Sequence, residues 1–176
     1  MTEPVPLRPV SVLFVCLGNI CRSPAAHAVA ETLRAGGEFA RFDSAGTGDY
    51  HVGELPNPMS STEGTLRGHR VDHIARQVHP DDFRQFDLII GMDAHNMQDL
   101  ERLRGGVDAR ESVYRELEPV QLQLLRRWDA LAAPDDEDLA DPWGQPANAF
   151  RAMYDVVERT VPRLLDHLQS LHRAAR

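Results

Sequence analysis

Cys16 and Arg22 are separated by five residues in the run V-L-F-V-C-L-G-N-I-C-R-S-P. A cysteine at the end of an apolar run, followed by a short glycine-bearing loop and an arginine, has the makings of an anion cradle. Such a loop can curl round one tetrahedral oxyanion with its backbone N–H groups turned inward, helped by the unpaired first amides and the positive dipole end of the helix that follows. Gly18 and Asn19 are residue types that accept the left-handed backbone such a curl needs. Cys16 would sit on the floor, where the amides and the Arg22 guanidinium would stabilise a thiolate nucleophile.

The elements needed to position that loop are legible on either side of it. Val10–Cys16 is a near-continuous apolar run, the pattern of a strand covered on both faces in a parallel sheet. Ser23 is a candidate cap of the next helix, with Pro24 in its first turn and Gly36-Gly37 at its end. Phe39–Ala45 reads as a second strand, so the chain opens with a βαβ unit whose turn lies where ligands bind in open α/β sheets. A long Gly- and Pro-bearing loop spans Gly46–Pro58 with Tyr50 near its tip. Residues 59–68 have weak helical character, and short helical or irregular pieces cover His73–Val78 and Pro80–Phe86.

Asp87–Met92 is a third buried strand and Asp93–Arg104 a helix closed by Gly105-Gly106. Ser112–Leu117 reads as a fourth strand, Gln121–Leu131 as a short helix and Ala132–Asp141 as an acidic loop. Phe150, Met153, Val157, Val161, Leu164, Leu168 and Leu171 form one apolar stripe on a long final helix. Pro162 falls inside it and should bend it, because its ring removes the bond to the carbonyl of Glu158.

Composition bounds the function classes. The 176 residues carry a formal charge of −8 and are 42% apolar, which fits one domain over 10–176 behind a poorly ordered tail at 1–9. The net charge argues against nucleic acid, which demands clustered Lys and Arg. It leaves a single phosphate in a pocket feasible, since distant charges are screened at cellular salt. There is no run of roughly 20 apolar residues for a membrane span and no leader-like N-terminus, so a cytoplasmic protein is expected. Cys16 and Cys21 are too close in sequence to staple a fold. No cofactor or metal is expected: His69 and His73 have i, i+4 spacing but no third ligand, and Gly46–Gly48 is not placed as a dinucleotide fingerprint.

The run C-L-G-N-I-C-R-S-P resembles the signature of the low-molecular-weight protein tyrosine phosphatases. D-S-A-G-T at Asp43–Thr47, H-I-A-R-Q at His73–Gln77, G-M-D at Gly91–Asp93 and D-P-W at Asp141–Trp143 extend the resemblance over roughly residues 10–172. It implies a three-layer α/β fold of flavodoxin-like type, a four-stranded parallel sheet with helices on both faces. It further implies a phosphocysteine on Cys16, a bidentate phosphate grip by Arg22 and charge uptake by the loop N–H groups from Leu17 through Gly18, Asn19, Ile20 and Cys21 to Arg22. Asp141 matches the general acid and later base. Ser23 matches the hydroxyl that eases departure of the thiolate, and Asn19, Ser44 and His73 match a network that fixes the loop.

Tyr50 and Trp143 match the aromatic walls of a slot deep enough for a phenyl ring, lined by Leu17 and Ile20. The resemblance therefore implies phosphotyrosine proteins as substrates and phosphate or another oxyanion in the loop; a monomer is expected. Relatives acting on phosphoarginine resemble this loop with threonine at the Ile20 position, so the isoleucine favours tyrosine. Arsenate reduction on this scaffold needs cysteines beyond Cys21, and none occurs. A non-catalytic phosphoanion-binding module would need neither Cys16 nor Asp141. Gly144 stands where better-known members carry a second aromatic residue. The resemblance also implies a protective disulfide between Cys21 and Cys16 under oxidation. Asp135, Asp136, Glu137 and Asp138 read as solvated charges that would favour basic residues near the phosphotyrosine.

Overall fold

In the computed structural model, residues 7–105 and 121–175 are described. The chain runs β1 (Val10–Cys16), α1 (Arg22–Arg34), β2 (Ala40–Gly46), α2 (Pro58–Leu66), α3 (Asp82–Gln85), β3 (Leu88–Gly91), α4 (Ala94–Arg104), β4 (Gln121–Leu124), a 3-10 turn at Leu125–Trp128 and α5 (Ala147–Ala174). All four strands are parallel, in the order β2-β1-β3-β4. The order reverses at β1, which puts the switch point of the sheet, the usual ligand crevice, at the end of the strand that carries Cys16.

Strand alternation divides the core. Val12, Phe14 and Cys16 of β1 join the cluster that holds the α1 alanines and the α5 stripe, whereas Leu13 and Val15 join Phe83, Phe86, Ile89 and Leu100 on the other face. Helices therefore cover both sides, giving the expected three-layer α/β sandwich. The α5 stripe is buried along its length, and the helix continues across Pro162. α1 ends where Ala35 and Gly36 turn left-handed, at φ 50° and 79°. α4 begins at a capping box in which Asp93 accepts from the amide of Asn96.

Two sequence expectations change. Ser23 does not cap α1: the helix starts at Arg22, Cys21 is the cap residue without a side-chain bond, and Ser23 lies inside the first turn. Gln121–Leu131 is not a helix. Its first four residues pair with β3, Leu88 against Gln121 through Gly91 against Leu124, and the next four form the 3-10 turn. The open edge of β3 offers unpaired backbone groups, and satisfying them outweighs the helix propensity of a Gln- and Leu-rich run. The strand expected at Ser112–Leu117 lies outside the described residues, as do residues 1–6 of the tail. Arg8, within the stretch read as a tail, donates to Asp87 through Nη1 at 2.6 Å and Nη2 at 2.5 Å, and Leu7 packs on the core.

Candidate active site

β1, β2 and β3 end side by side, with Cys16 opposite Gly46 and Val15 opposite Gly91. The loop after Cys16 is pinned from outside through its carbonyl groups. The oxygens of Cys16, Leu17 and Ile20 accept from the amides of Thr47, Gly48 and Asn57 at 2.8–2.9 Å, and that of Cys21 accepts from the Ser60 hydroxyl at 3.3 Å. With those carbonyls engaged by the surrounding segments, the Asn19 N–H points at Cys16 Sγ from 3.3 Å. Asn19 takes the left-handed backbone, φ 55°, as the sequence predicts. Gly46 is required by proximity: a Cβ there would stand 2.6 Å from the Leu17 carbonyl oxygen.

Ser23 Oγ lies 3.0 Å from Cys16 Sγ. The buried Asn19 side chain ties this pair to the sheet: its Nδ2 donates to Ser23 Oγ at 2.8 Å and to Ser44 Oγ at 3.0 Å, while its Oδ1 accepts from the Arg76 amide at 3.0 Å. Of the network expected from sequence, Asn19, Ser23 and Ser44 come together directly. His73 lies 3.7 Å from Asp43 Oδ1 and reaches the Ser44 backbone rather than its hydroxyl, and it is His27 whose Nδ1 lies 3.4 Å from Ser44 Oγ. Burial lowers the pKa of both imidazoles below the usual histidine value.

Arg22 is buried, yet its charge is fully matched. Its Nη1 donates to Asp93 Oδ2 at 2.6 Å and to the Leu139 carbonyl at 3.1 Å, and its Nη2 to Asp141 Oδ2 at 3.3 Å. Burial works against the guanidinium charge, but Cys16, Asp93 and Asp141 more than offset it and hold the pKa above its ordinary value. Asp93 and the Leu139 carbonyl are partners that the sequence reading missed. The signal for Asp93 was present: it sits in G-M-D at the carboxyl end of β3 and begins D-x-x-N, a helix start.

The loop bearing Asp141 is fastened by its approach segment. Leu139 is buried, its amide donates to Met92 O at 2.8 Å, and Arg126 donates to Asp138 O at 2.9 Å. Asp138 Oδ1 accepts from the Ala94 amide at 2.9 Å, so it supports the start of α4. Asp138 is exposed to solvent, as expected, and this bond gives it a structural partner besides. Asp141 Oδ1 in turn accepts from the Trp143 amide at 3.1 Å, which fixes the carboxylate at the rim.

A cavity of about 350 Å³ collects Cys16, Leu17, Gly18, Ile20, Cys21, Arg22, Tyr50, Asp141 and Trp143, together with His51, which the sequence reading did not single out. Tyr50 and Trp143 are 71% and 60% exposed, so the two aromatics stand free at the mouth above a buried thiol. Both cysteines are unbridged and buried. Burial, then the neighbouring Cys16 and Asp141, push the Cys21 thiol up to about 12, so it is protonated at neutral pH. Among the described residues, no helix is long and apolar enough to cross a membrane. His69 is not a partner of His73: its Nε2 lies 2.7 Å from Glu158 Oε1 and its ring stacks on Tyr154.

Comparison with known proteins agrees with this geometry. The family described as low molecular weight phosphotyrosine protein phosphatase matches residues 11–174. The chain is 36% identical over 157 residues to the "Low molecular weight protein-tyrosine-phosphatase" of Streptomyces coelicolor, covering 88% of this chain and 90% of that protein. The crystal structure of a protein tyrosine phosphatase from Entamoeba histolytica superposes with a TM-score of 0.78 at 29% identity, covering 92% of this chain and 97% of that one. A Drosophila arginine phosphatase superposes with a TM-score of 0.75 at 28% identity, covering 89% and 96%.

Proposed function

The chain belongs to the low molecular weight phosphotyrosine protein phosphatases, and we propose that it hydrolyses phosphotyrosine in proteins, and small aryl phosphates, through a phosphocysteine on Cys16. The observation that carries this reading is the single cavity that joins the Cys16 thiol, Arg22 and Asp141 beneath two free aromatic rings. A phenyl ring between Tyr50 and Trp143 sets its phosphate on the loop, whereas a phosphoserine is too short to reach the buried sulfur.

With Nη1 held by Asp93 and Leu139 O, Arg22 presents its Nε and Nη2 edge to two phosphate oxygens. The sulfur attacks phosphorus in line, the bond to the phenolic oxygen breaks, and Asp141 delivers its proton to that oxygen. The loop N–H groups and Arg22 take up the charge of the transition state. Asp141, now a carboxylate, accepts a proton from the water that attacks the phosphocysteine, and phosphate forms as the thiolate leaves. The Ser23 hydroxyl, 3.0 Å from Sγ, donates to the departing sulfur. Asn19 and Ser44 hold that hydroxyl in place.

The test is steady-state hydrolysis of aryl phosphates of graded leaving-group pKa by wild type, Cys16→Ser and Asp141→Asn. Cys16→Ser is expected to lose turnover, and Asp141→Asn to slow about 10²–10⁴-fold, most for the poorest leaving groups. Full activity in Cys16→Ser overturns the reading. Faster turnover of phosphoarginine than of phosphotyrosine peptides would reassign the substrate. Ile20, buried in the cavity wall, supports tyrosine.

A further inference from the structure

Behind the loop, and outside the reacting groups, three side chains from three segments converge: His27 of α1, Asp43 of β2 and His73 of the stretch between α2 and α3. Each offers one ligand atom such that all three lie within 4.8 Å of one another. The two imidazoles meet edge to face with ring centroids 5.3 Å apart. His73 Nε2 is buried and has no hydrogen-bond partner, an arrangement that is costly unless a ligand takes it up.

Asp43 is oriented in advance. Arg76 donates to its Oδ2 from Nε at 3.2 Å and Nη2 at 2.9 Å, and the Ser44 amide donates to its Oδ1 at 2.8 Å. The same Oδ1 lies 3.7 Å from His73 Nδ1. Outer partners of this kind are what hold a ligating carboxylate in place.

We propose that His27, Asp43 and His73 form a binding site for one divalent transition-metal ion of the zinc class. Two imidazoles and a carboxylate suit zinc, cobalt or nickel and do not suit magnesium or calcium, which take oxygen ligands. Bonds of about 2.0–2.1 Å to a tetrahedral ion place donor atoms roughly 3.4 Å apart, so small side-chain rotations close the set, with a water as fourth ligand. A cleft of about 400 Å³ lined by His27, Glu31, Arg70, Asp72 and His73 gives an ion entry from solvent; its acids Glu31 and Asp72 are paired to Arg34 and Arg70, so the ligand atoms and not the cleft's net charge carry the selectivity. The motif is not the one that sequence spacing suggests: His73 pairs with His27, 46 positions earlier on α1, and not with His69.

The test is titration of the full-length Cys16→Ser/Cys21→Ser protein, which removes both thiols as competing ligands, with Co²⁺ followed by visible absorption and with Zn²⁺ followed by calorimetry. One ion per chain is expected, with affinity falling at least about tenfold in His27→Ala and unchanged in His69→Gln. In parallel, imidazole ¹⁵N NMR of the thiol-free protein with Zn²⁺ is expected to shift the His27 and His73 signals and to leave that of His69 in place. No bound ion, unweakened binding in His27→Ala, or unmoved His27 and His73 signals each overturn the proposal; the NMR arm stands even if His27→Ala fails to fold.

Discussion

Asp93 serves Arg22 and the start of α4 with one carboxylate: Oδ2 accepts from Arg22 Nη1 at 2.6 Å while Oδ1 accepts from the Asn96 amide at 2.8 Å. The cap and the aim of the arginine are therefore separable by mutation. Asparagine caps about as well as aspartate but cannot pair with the guanidinium. Asp93→Asn is expected to keep the melting temperature within a few degrees and to lower kcat/KM roughly tenfold to hundredfold, the 1.5–3 kcal/mol of a charged hydrogen bond. Asp93→Ala should lose the same activity and about 1 kcal/mol more stability. Aryl phosphate kinetics and thermal melts on both variants check it.

Gly46 ends β2 directly under the loop. Its backbone is not left-handed, so alanine is conformationally permitted there, but the added methyl would press on the Leu17 carbonyl at 2.6 Å and on the Asn19 amide at 3.2 Å. Displacing catalytic groups by about 1 Å can cost about a hundredfold in rate. Gly46→Ala is expected to reduce kcat by that order and to weaken competitive inhibition by inorganic phosphate, with the protein still folded by circular dichroism. Unchanged phosphate inhibition would show that the loop tolerates the methyl group.

Oxidation should depend on pH through Cys21. Peroxide is expected to convert Cys16 to a sulfenic acid, which the Cys21 thiolate would attack, expelling hydroxide and closing a Cys16–Cys21 disulfide. Because burial pushes the Cys21 thiol up to about 12, its thiolate fraction rises about tenfold per pH unit below that value. Activity recoverable by thiol after peroxide treatment is therefore expected to be greater at pH 9 than at pH 7, when both samples are assayed at one pH. Cys21→Ser should recover less at either pH, and equal recovery there would exclude the disulfide.

Asp129 should make stability acid-sensitive. Arg159 bonds it at 2.8 and 2.9 Å, Arg126 at 3.0 Å and the Leu131 amide at 3.0 Å. The Arg159 guanidinium chiefly holds the carboxyl well below the usual carboxylate range. A depressed folded-state pKa stabilises the protein above the unfolded value of about 3.9, and that gain is lost as pH falls from there toward the folded value. Asp129→Asn is expected to cost about 3–5 kcal/mol at pH 7, lowering the melting temperature by roughly 6–20 °C. The difference should narrow below pH 4. Thermal melts of both proteins across pH 3–7 measure it.

How much of this was legible in the sequence varies with how local the cause is. The β1 run, the glycine and asparagine of the loop and the α5 stripe rest on neighbouring residues, and each was readable from period and residue type. β4 was not, because Gln121–Leu124 is a strand only where the edge of β3 meets it. Ser23 is a good cap by type, but the helix begins one residue earlier and leaves its hydroxyl for Cys16. Asp138 looks like one more solvated acid until the end of β3 brings the Ala94 amide to it.

The sequence by itself determined which chemistry the chain carries: a cysteine and an arginine with five residues between them at a strand end, with an aspartate, a tyrosine and a tryptophan that the family resemblance places around them. Those are properties of residue identity and short-range geometry, which the chain states directly. Only the tertiary structure decided which partners complete them. Asp93 and Leu139 reach Arg22 because β3 ends beside β1, and His27 meets His73 and Asp43 because α1 lies along β2. Contacts between residues dozens of positions apart arise from the burial of two sheet faces and the closure of backbone hydrogen bonds, and no local pattern encodes them.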